Sequence, residues 1–365
     1  MIEPLESIDW YRFLERPQLP QAPPESLAAL TQKAILITGA GGSIGSALTR
    51  RLIGAGCAVV LLDASESNLY ELDKELRGAS GGRAVRIYLG DAGDSTLLAE
   101  IFAEYHPQVV FHAAAFKHMP LLEQQPLAAI ANNVCVTKAV ADKALEHGAR
   151  LVLLSTDKVV TPTSVMGASK WVAEQIVLAY GGNVVRLANV LGSRGSVSEV
   201  FAAQIAAGEA LTLTDATAER YFLTVEEAVE LLVAVGIDEN GGGILVPDLK
   251  KAHTIKELAR FMVKKLAAGK EVRIDITGLR AGEKLTELLW ADDEDRVEDR
   301  ARGVVRIEPQ AWRRDRIEER LRLLTSSVER REVAGAIVAL RELVSGYKPS
   351  ATVLAMGKSS AGMHE

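Results

Sequence analysis

Residues 34–48 read AILITGAGGSIGSAL. An apolar run, Ala34–Thr38, passes straight into Gly39, Gly42 and Gly45, with Ser43 and Ile44 between the last two, and then into a helical pattern. A strand that empties into spaced glycines and then a helix has a specific physical use. Glycine lets the backbone turn tightly and approach a pyrophosphate, and the free N–H groups of the helix start attract its charge. Asp63 ends the next apolar run, AVVLLD, about 20 residues on, where an acid holds adenosine ribose hydroxyls. Its charge repels a ribose 2′-phosphate, so the expected cofactor is NAD. The spacing GxxGxxG departs from the GxGxxG of the commonest dehydrogenases, which keeps NADP as the alternative.

Outward from this segment, short apolar runs alternate with helical patterns as far as Leu187. The strand candidates are Ala34–Thr38, Ala58–Asp63, Val85–Leu89, Val109–His112, Leu151–Ser155 and Asn183–Leu187. They are almost continuously apolar, as strands covered on both faces are. Leu97, Leu98, Ile101 and Phe102 form one intervening helix stripe, and Ile130, Val134 and Val140 lie on another. Repeated strand–helix units predict an α/β fold with a doubly wound, right-handed parallel sheet. After Leu187 the rhythm breaks. LTLT, GILV and VRIDIT mix with helices over Glu226–Val235 and Thr254–Lys265, which predicts a smaller α+β lobe beside the carboxyl ends of the sheet. Two more helices, over Arg316–Leu324 and Val328–Val344, are expected to close the structure.

The expected organisation is an N-terminal arm (1–32), a dinucleotide-binding Rossmann domain (33–187), and a substrate-binding lobe (188–347) with some elements returning to the sheet. Residues 348–365, rich in small and polar residues, are expected to form a flexible tail. With 48% hydrophobic and 25% charged residues the chain can bury a large core. Its net charge of −6 argues against a nucleic-acid partner. Cys57 and Cys135 have no metal-ligand spacing, so no metal is expected and a reducing, cytoplasmic setting fits. No apolar run is long enough to insert in a membrane, and the acidic, proline-bearing N-terminus lacks a signal-peptide core.

Other chemistry gathers at predicted strand ends. The third strand ends at Gly90-Asp91, followed by Ala92, which places a carboxylate near an adenine amino group; a solvated helix cap is the competing use of Asp91. The fourth runs into FHAAAFKHMPLLE (111–123), where Ala113, Ala114 and Ala115 let a cofactor lie against the backbone and Lys117 and His118 follow at once. The fifth delivers STDKVVTPTSVMGASK (155–170).

These stretches resemble the extended short-chain dehydrogenase/reductases. Within them they resemble the CapD-like polysaccharide-biosynthesis branch of nucleotide-sugar 4,6-dehydratases, which act on UDP-N-acetylglucosamine. LLDASESNLYELDKEL (61–76), NVLGSRGSV (189–197), RYFLTVEEA (220–228) and GLRAGEKLTE (278–287) carry the same resemblance, which covers most of the chain. LERPQLP (14–20) is similar to the segment that precedes the catalytic domain there. Many relatives carry membrane helices upstream.

The resemblance implies an NAD-dependent lyase in surface polysaccharide biosynthesis. A hydride moves from sugar carbon 4 to NAD, water is eliminated across carbons 5 and 6, and the hydride returns to carbon 6. Most extended short-chain enzymes use Tyr-x-x-x-Lys; here Met166 stands four residues before Lys170. A thioether is no general base, and methionine at this place is a feature of the CapD-like branch. Thr156, polarised by Lys170, is the expected proton relay. Lys158 is the expected base at carbon 5 and Asp157 the acid at the carbon-6 hydroxyl. Asn133 in NNVCVTK is similar to a cofactor-contacting asparagine. Lys117, His118, Asn189, Arg194, Arg220, Arg280 and Glu283 are the implied substrate contacts, arginine being suited to a diphosphate. A UDP-sugar is the implied partner, and a homo-oligomer the implied assembly. The sequence departs from the pattern at Val136 (usually glycine), at DLKKAHTI (248–255), and at LAN (187–189) before VLGSRGSV. Val136 is expected to push its helix outward. Two other functions compete: a UDP-sugar 4-epimerase, which normally keeps the tyrosine, and a non-catalytic dinucleotide-binding sensor, which Met166 would suit.

Overall fold

The computed structural model describes residues 5–79, 85–238, 241–267, 269–299, 303–309 and 312–359. Its first six strands are β1 (Ala34–Thr38), β2 (Ala58–Asp63), β3 (Val85–Leu89), β4 (Val109–His112), β5 (Arg150–Thr156) and β6 (Asn183–Leu187). Their residues are mostly apolar; β1, β4 and β6 are almost wholly buried and β3 only partly. The sheet has nine strands, ordered Arg296–Asp299, Val304–Ile307, Ile244–Pro247, β6, β5, β4, β1, β2, β3. β1 to β6 and Ile244–Pro247 run parallel, and Val304–Ile307 pairs antiparallel with both its neighbours. The strand order reverses between β1 and β4, where Thr38 lies opposite His112. Open α/β sheets bind ligands at such a switch point, outside the carboxyl ends of the strands.

The six expected strands appear as read, except that β5 is one residue longer at each end and Thr156 becomes its last residue. Val225–Gly236 and Ile255–Leu266 form the two middle helices, each started by a threonine capping box. The closing helices are Arg314–Glu329 and Val333–Leu343, shifted from the expected bounds.

The expected lobe of 188–347 is smaller than its span. Ile244–Pro247, Arg296–Asp299 and Val304–Ile307 belong to the main sheet, and the helices Val225–Gly236, Arg314–Glu329 and Val333–Leu343 bury their apolar faces in the main core. A separate apolar cluster marks the true lobe. Phe201, Leu211, Leu213, Phe222, Leu258 and Met262 form it, together with Ile8, Trp10, Phe13 and Leu14 from the arm. Two-residue ladders and the parallel pair Leu211–Leu213 with Ile274–Ile276 complete it. The expected flexible tail is corrected for 351–359: Ala351–Ser359 is a helix, and its Val353 is fully buried. Residues 360–365 lie outside the described residues.

Val136 is buried against the loop after β3. Its Cγ2 sits against Gly93, where any side chain would approach it to 3.0 Å. Immediately before it, Ala131–Cys135 make a π turn, a widening of the helix that carries Asn133.

Candidate active site

The carboxyl ends of β1, β4, β5 and β6 open on one cleft of about 870 Å³, closed opposite by the lobe. It is lined by Gly39, Gly42, Ser43, Ile44, Gly45, Ala113, Ala115, Lys117 and His118, and by Thr156, Lys158, Met166 and Lys170. Asn189, Arg194, Arg220, Arg280 and Glu283 line it from the far side. Of the expected residues, Asp63, Asp91, Ala92, Ala114, Asn133 and Asp157 do not line it.

The glycine loop is a cradle that side chains would fill. Gly39 adopts φ +69, and a Cβ there would lie 2.5 Å from the Ala114 nitrogen; one on Gly45 would lie 2.1 Å from the Gly39 oxygen. The helix Ser43–Gly54 starts at Gly42 with no side-chain cap, so its N–H groups remain available to an anion. This donor set fits a dinucleotide diphosphate. Asp63 stiffens the loop rather than facing the cleft: its Oδ2 accepts from Gly41 N–H (2.7 Å) and its Oδ1 from Ser65 N–H (2.8 Å). Asp91 Oδ1 accepts from Gly93 N–H (2.7 Å) in an exposed turn, a local bond of the kind aspartate makes to its own backbone. The helix cap beside it is Asp94. Ala92 is buried next to this turn.

At the switch point His112 bridges Thr38 Oγ1 (2.6 Å) and Thr137 Oγ1 (2.9 Å). Burial, with Lys170 adding to it, pushes its pKa down to about 3. Asn133, fully buried, does not reach the cleft. Its Oδ1 accepts from Phe116 N–H (2.8 Å) and its Nδ2 donates to Phe116 O (3.1 Å) and Ser169 Oγ (3.0 Å). It fixes the chain that leads to Lys117. Lys170 Nζ donates to Leu154 O (2.7 Å), and burial pushes its pKa down to about 8 against the opposing pull of Glu174.

The turn after β5 is a connected set. Thr156 Oγ1 donates to Asp157 Oδ1 (3.0 Å), and Lys158 Nζ donates to Asp157 Oδ1 (2.9 Å) and Asn189 Oδ1 (2.8 Å). Lys158 and Thr156 face the cleft, whereas Asp157 is fully buried behind them. Its Oδ2 has no hydrogen-bond partner among the described residues. The expected direct reach of Asp157 to a substrate is therefore corrected: it communicates with the cleft through its two neighbours. Behind it lies a buried network that the sequence reading missed. Ser155 Oγ donates to Glu174 Oε1 (2.6 Å), and Arg186 pairs with Glu174 (2.9 Å) and Glu294 (2.8 Å). The signal was present as a lone arginine inside the apolar run NVVRL.

Two implied substrate arginines line the cleft and are already hydrogen-bonded within the protein. Arg220 is spent on the carbonyls of Glu219 (2.6 Å), Leu285 (2.9 Å) and Lys284 (2.8 Å), so it braces the segment that carries Arg280. Arg194 sits at the cofactor end. Its N–H donates to Ser43 Oγ (2.9 Å), and its guanidinium donates to Asn68 Oδ1 (2.5 Å) and to the Gly41 carbonyl. Lys117 Nζ donates to Arg194 O (2.6 Å), and burial lowers the pKa of Lys117. Burial, and then the charge of Lys117, lower that of His118. Arg280 pairs with Glu283 at the exposed rim (2.5 Å). Asn68 lines the cleft and was not singled out in the sequence. Among the described residues there is no group of three or more His, Cys, Asp or Glu that could hold a metal ion, and no helix long and apolar enough to cross a membrane.

The family described as polysaccharide biosynthesis protein matches residues 35–309. The capsular polysaccharide biosynthesis protein CapD of Staphylococcus aureus is 39% identical over 277 residues, 73% of this chain and 46% of that protein. This chain thus spans about half the length of that relative. A UDP-glucose 4-epimerase of Rickettsia rickettsii is 32% identical, covering 75% of this chain and 82% of its own. A UDP-N-acetylglucosamine 4,6-dehydratase (inverting) of Campylobacter jejuni is 31% identical, covering 72% and 79%. Among solved structures, Pen from Bacillus thuringiensis superposes with a TM-score of 0.72 at 27% identity, covering 77% of this chain and 89% of that one.

Proposed function

The chain belongs to the polysaccharide biosynthesis protein family, and from that premise we propose that it is a nucleotide-sugar 4,6-dehydratase with NAD as its cofactor and UDP-N-acetylglucosamine as its substrate. The observation that carries the reading is one shared cleft. The glycine cradle, Lys170, Met166 and the Thr156–Lys158 face all open on it. Gly39, Gly42 and Gly45, with the uncapped helix start at Gly42, would hold NAD, which would supply the hydride acceptor for sugar carbon 4 and the donor for carbon 6.

The protein's own residues handle the protons. Thr156 takes the proton of the carbon-4 hydroxyl and relays it to Asp157, to which its own hydroxyl already donates. Met166, buried at the cleft wall where a tyrosine would otherwise act, fills space and leaves that transfer to Thr156. Lys170 holds positive potential beside the reacting carbon. Lys158 is the base that takes the carbon-5 proton and later returns it, while Asn189 holds its nitrogen in place. Asp157 passes its proton back through Thr156 to the departing carbon-6 hydroxyl. The proton released at carbon 4 thus leaves as part of the water, and the cofactor ends as it began. Arg280, Glu283 and His118, which all line the cleft, serve the nucleotide end. Arg194 holds the cofactor loop.

A 4-epimerase remains the second reading, because the Rickettsia relative named for that activity is as similar as the dehydratase. Proton NMR of UDP-N-acetylglucosamine incubated with the protein separates the two. A 6-deoxy-4-keto sugar is expected. A galacto product would establish epimerisation instead, and an unchanged sugar with cofactor retained would leave a dinucleotide-binding sensor.

A further inference from the structure

The loop between Lys158 and Met166 holds an unfavourable backbone. Thr161, β-branched and followed by Pro162, sits in the left-handed region at φ 42. Such a residue persists only where its surroundings over-determine it. Those surroundings come from segments distant in sequence. Lys284 Nζ donates to Val160 O (3.0 Å), Thr163 Oγ1 donates to Gly282 O (2.9 Å), and Lys348 N–H donates to Pro162 O (3.1 Å).

The firmest hold is a carboxylate with no counter-cation among the ion pairs of the described residues. Glu123 is 1% exposed. Its Oε1 accepts from Val165 N–H (2.7 Å), the first residue of the helix that carries Met166 and Lys170. Its Oε2 accepts from Ser350 Oγ (2.5 Å). Ser350 in turn accepts from Val353 N–H (3.4 Å) at the start of the last helix. One carboxylate therefore ties two helix starts together, where negative charge is favourable. Gly167, two residues after Val165, lies so close to Lys158 that a Cβ there would sit 2.3 Å from its carbonyl oxygen. Any shift of Val165 would be felt at Lys158. Ser350 lies beyond the family match, which ends at residue 309. It is brought here because the helices Arg314–Glu329 and Val333–Leu343 pack on the helix Val165–Ala179.

We propose that Glu123, held by Ser350 of the C-terminal segment, is a positioning residue that fixes the strained loop between Lys158 and Met166. Its bearing on turnover rests on the dehydratase reading, but its bearing on the loop does not. The test compares the full chain with Glu123→Gln, Ser350→Ala, Ser350→Thr and the Glu123→Gln/Ser350→Ala double variant.

Amide hydrogen exchange of the peptide spanning 158–166 is expected to accelerate about tenfold in Glu123→Gln and in Ser350→Ala, with the central strands unchanged. The double variant is expected to do no more than Glu123→Gln alone, because both remove one link, and Ser350→Thr is expected to restore protection. With UDP-N-acetylglucosamine, kcat is expected to fall about tenfold or more while KM stays within about threefold, as for a misplaced group rather than lost binding. Unchanged exchange at 158–166, or acceleration spread evenly over the sheet, overturns the proposal. So does local loosening with kcat intact. If the unsubstituted chain turns over no sugar nucleotide, the function reading fails while the exchange arms still decide the clamp.

Discussion

In the proposed reaction Lys170 is expected to set the pH window of the site. Burial lowers its pKa to about 8, so the ammonium is present below that value and is lost as pH rises through it. Hydride removal from the sugar, followed as nicotinamide absorbance in a single turnover, is expected to slow above pH 8; a rate flat for a full unit beyond it would remove Lys170 from this role. His112 acts in the opposite direction on stability. Its pKa is depressed to about 3, so the folded state refuses a proton that the unfolded chain accepts below about pH 6.5. Stability is complete above that pH and falls as pH drops towards 3, by up to about 1.4 kcal/mol per unit from this group. Urea midpoints of His112→Asn should show a weaker acid dependence than those of the unsubstituted chain. Asp157→Asn should retain bound dinucleotide while losing about 10²-fold or more of dehydration. Near-normal turnover would show that the carboxylate carries no proton.

The elements explain why these residues meet. Each parallel strand ends at the same edge of the sheet, so β1, β4, β5 and β6 deliver Gly39, Ala113, Thr156 and Asn189 to one cleft. β3 is the partly exposed edge of the sheet, and the other five strands were legible because strands covered on both faces are continuously apolar. Arg296–Asp299 and Val304–Ile307 were not. Arg296–Asp299 is mostly charged and its Val297 is 57% exposed, Val304–Ile307 is only four residues long and carries Arg306, and both pair antiparallel at the edge of the sheet. The helix after β1 makes its own prediction. In Gly45→Ala the added methyl meets the Gly39 carbonyl, and the forced shift should cost about 1–3 kcal/mol of cofactor affinity. Dinucleotide co-purifying with the variant should be depleted while its circular dichroism is unchanged; full retention would contradict the cradle.

On the scale of the whole molecule, the lobe is held by the arm. Phe13 is packed among the rings of Phe222, His253 and Phe261, and Arg16 pairs with Glu227 (2.6 Å) on the helix Val225–Gly236. That helix belongs to the main core, so the arm joins both units. Phe13→Ala should cost about 3–5 kcal/mol, read as a lowered thermal midpoint with loosened exchange in Val197–Ala207 and Ile255–Leu266. Destabilisation confined to residues 5–30 would show that the arm merely covers the lobe.

Patterns that act over a turn or a strand were complete in the amino-acid order itself: the glycine cradle, the apolar strands, the STDK turn and the methionine before Lys170. Each follows from chemistry between near neighbours along the chain. Which carboxylates face the ligand was decided by packing. Asp157 turned inward, Asp63 and Asp91 closed on backbone N–H groups, and Arg220 was consumed by carbonyls. The bond from Ser350 to Glu123 spans 227 positions. No periodicity encodes such a contact, because it exists only once two independently folded helical faces are brought together by the burial of their apolar sides.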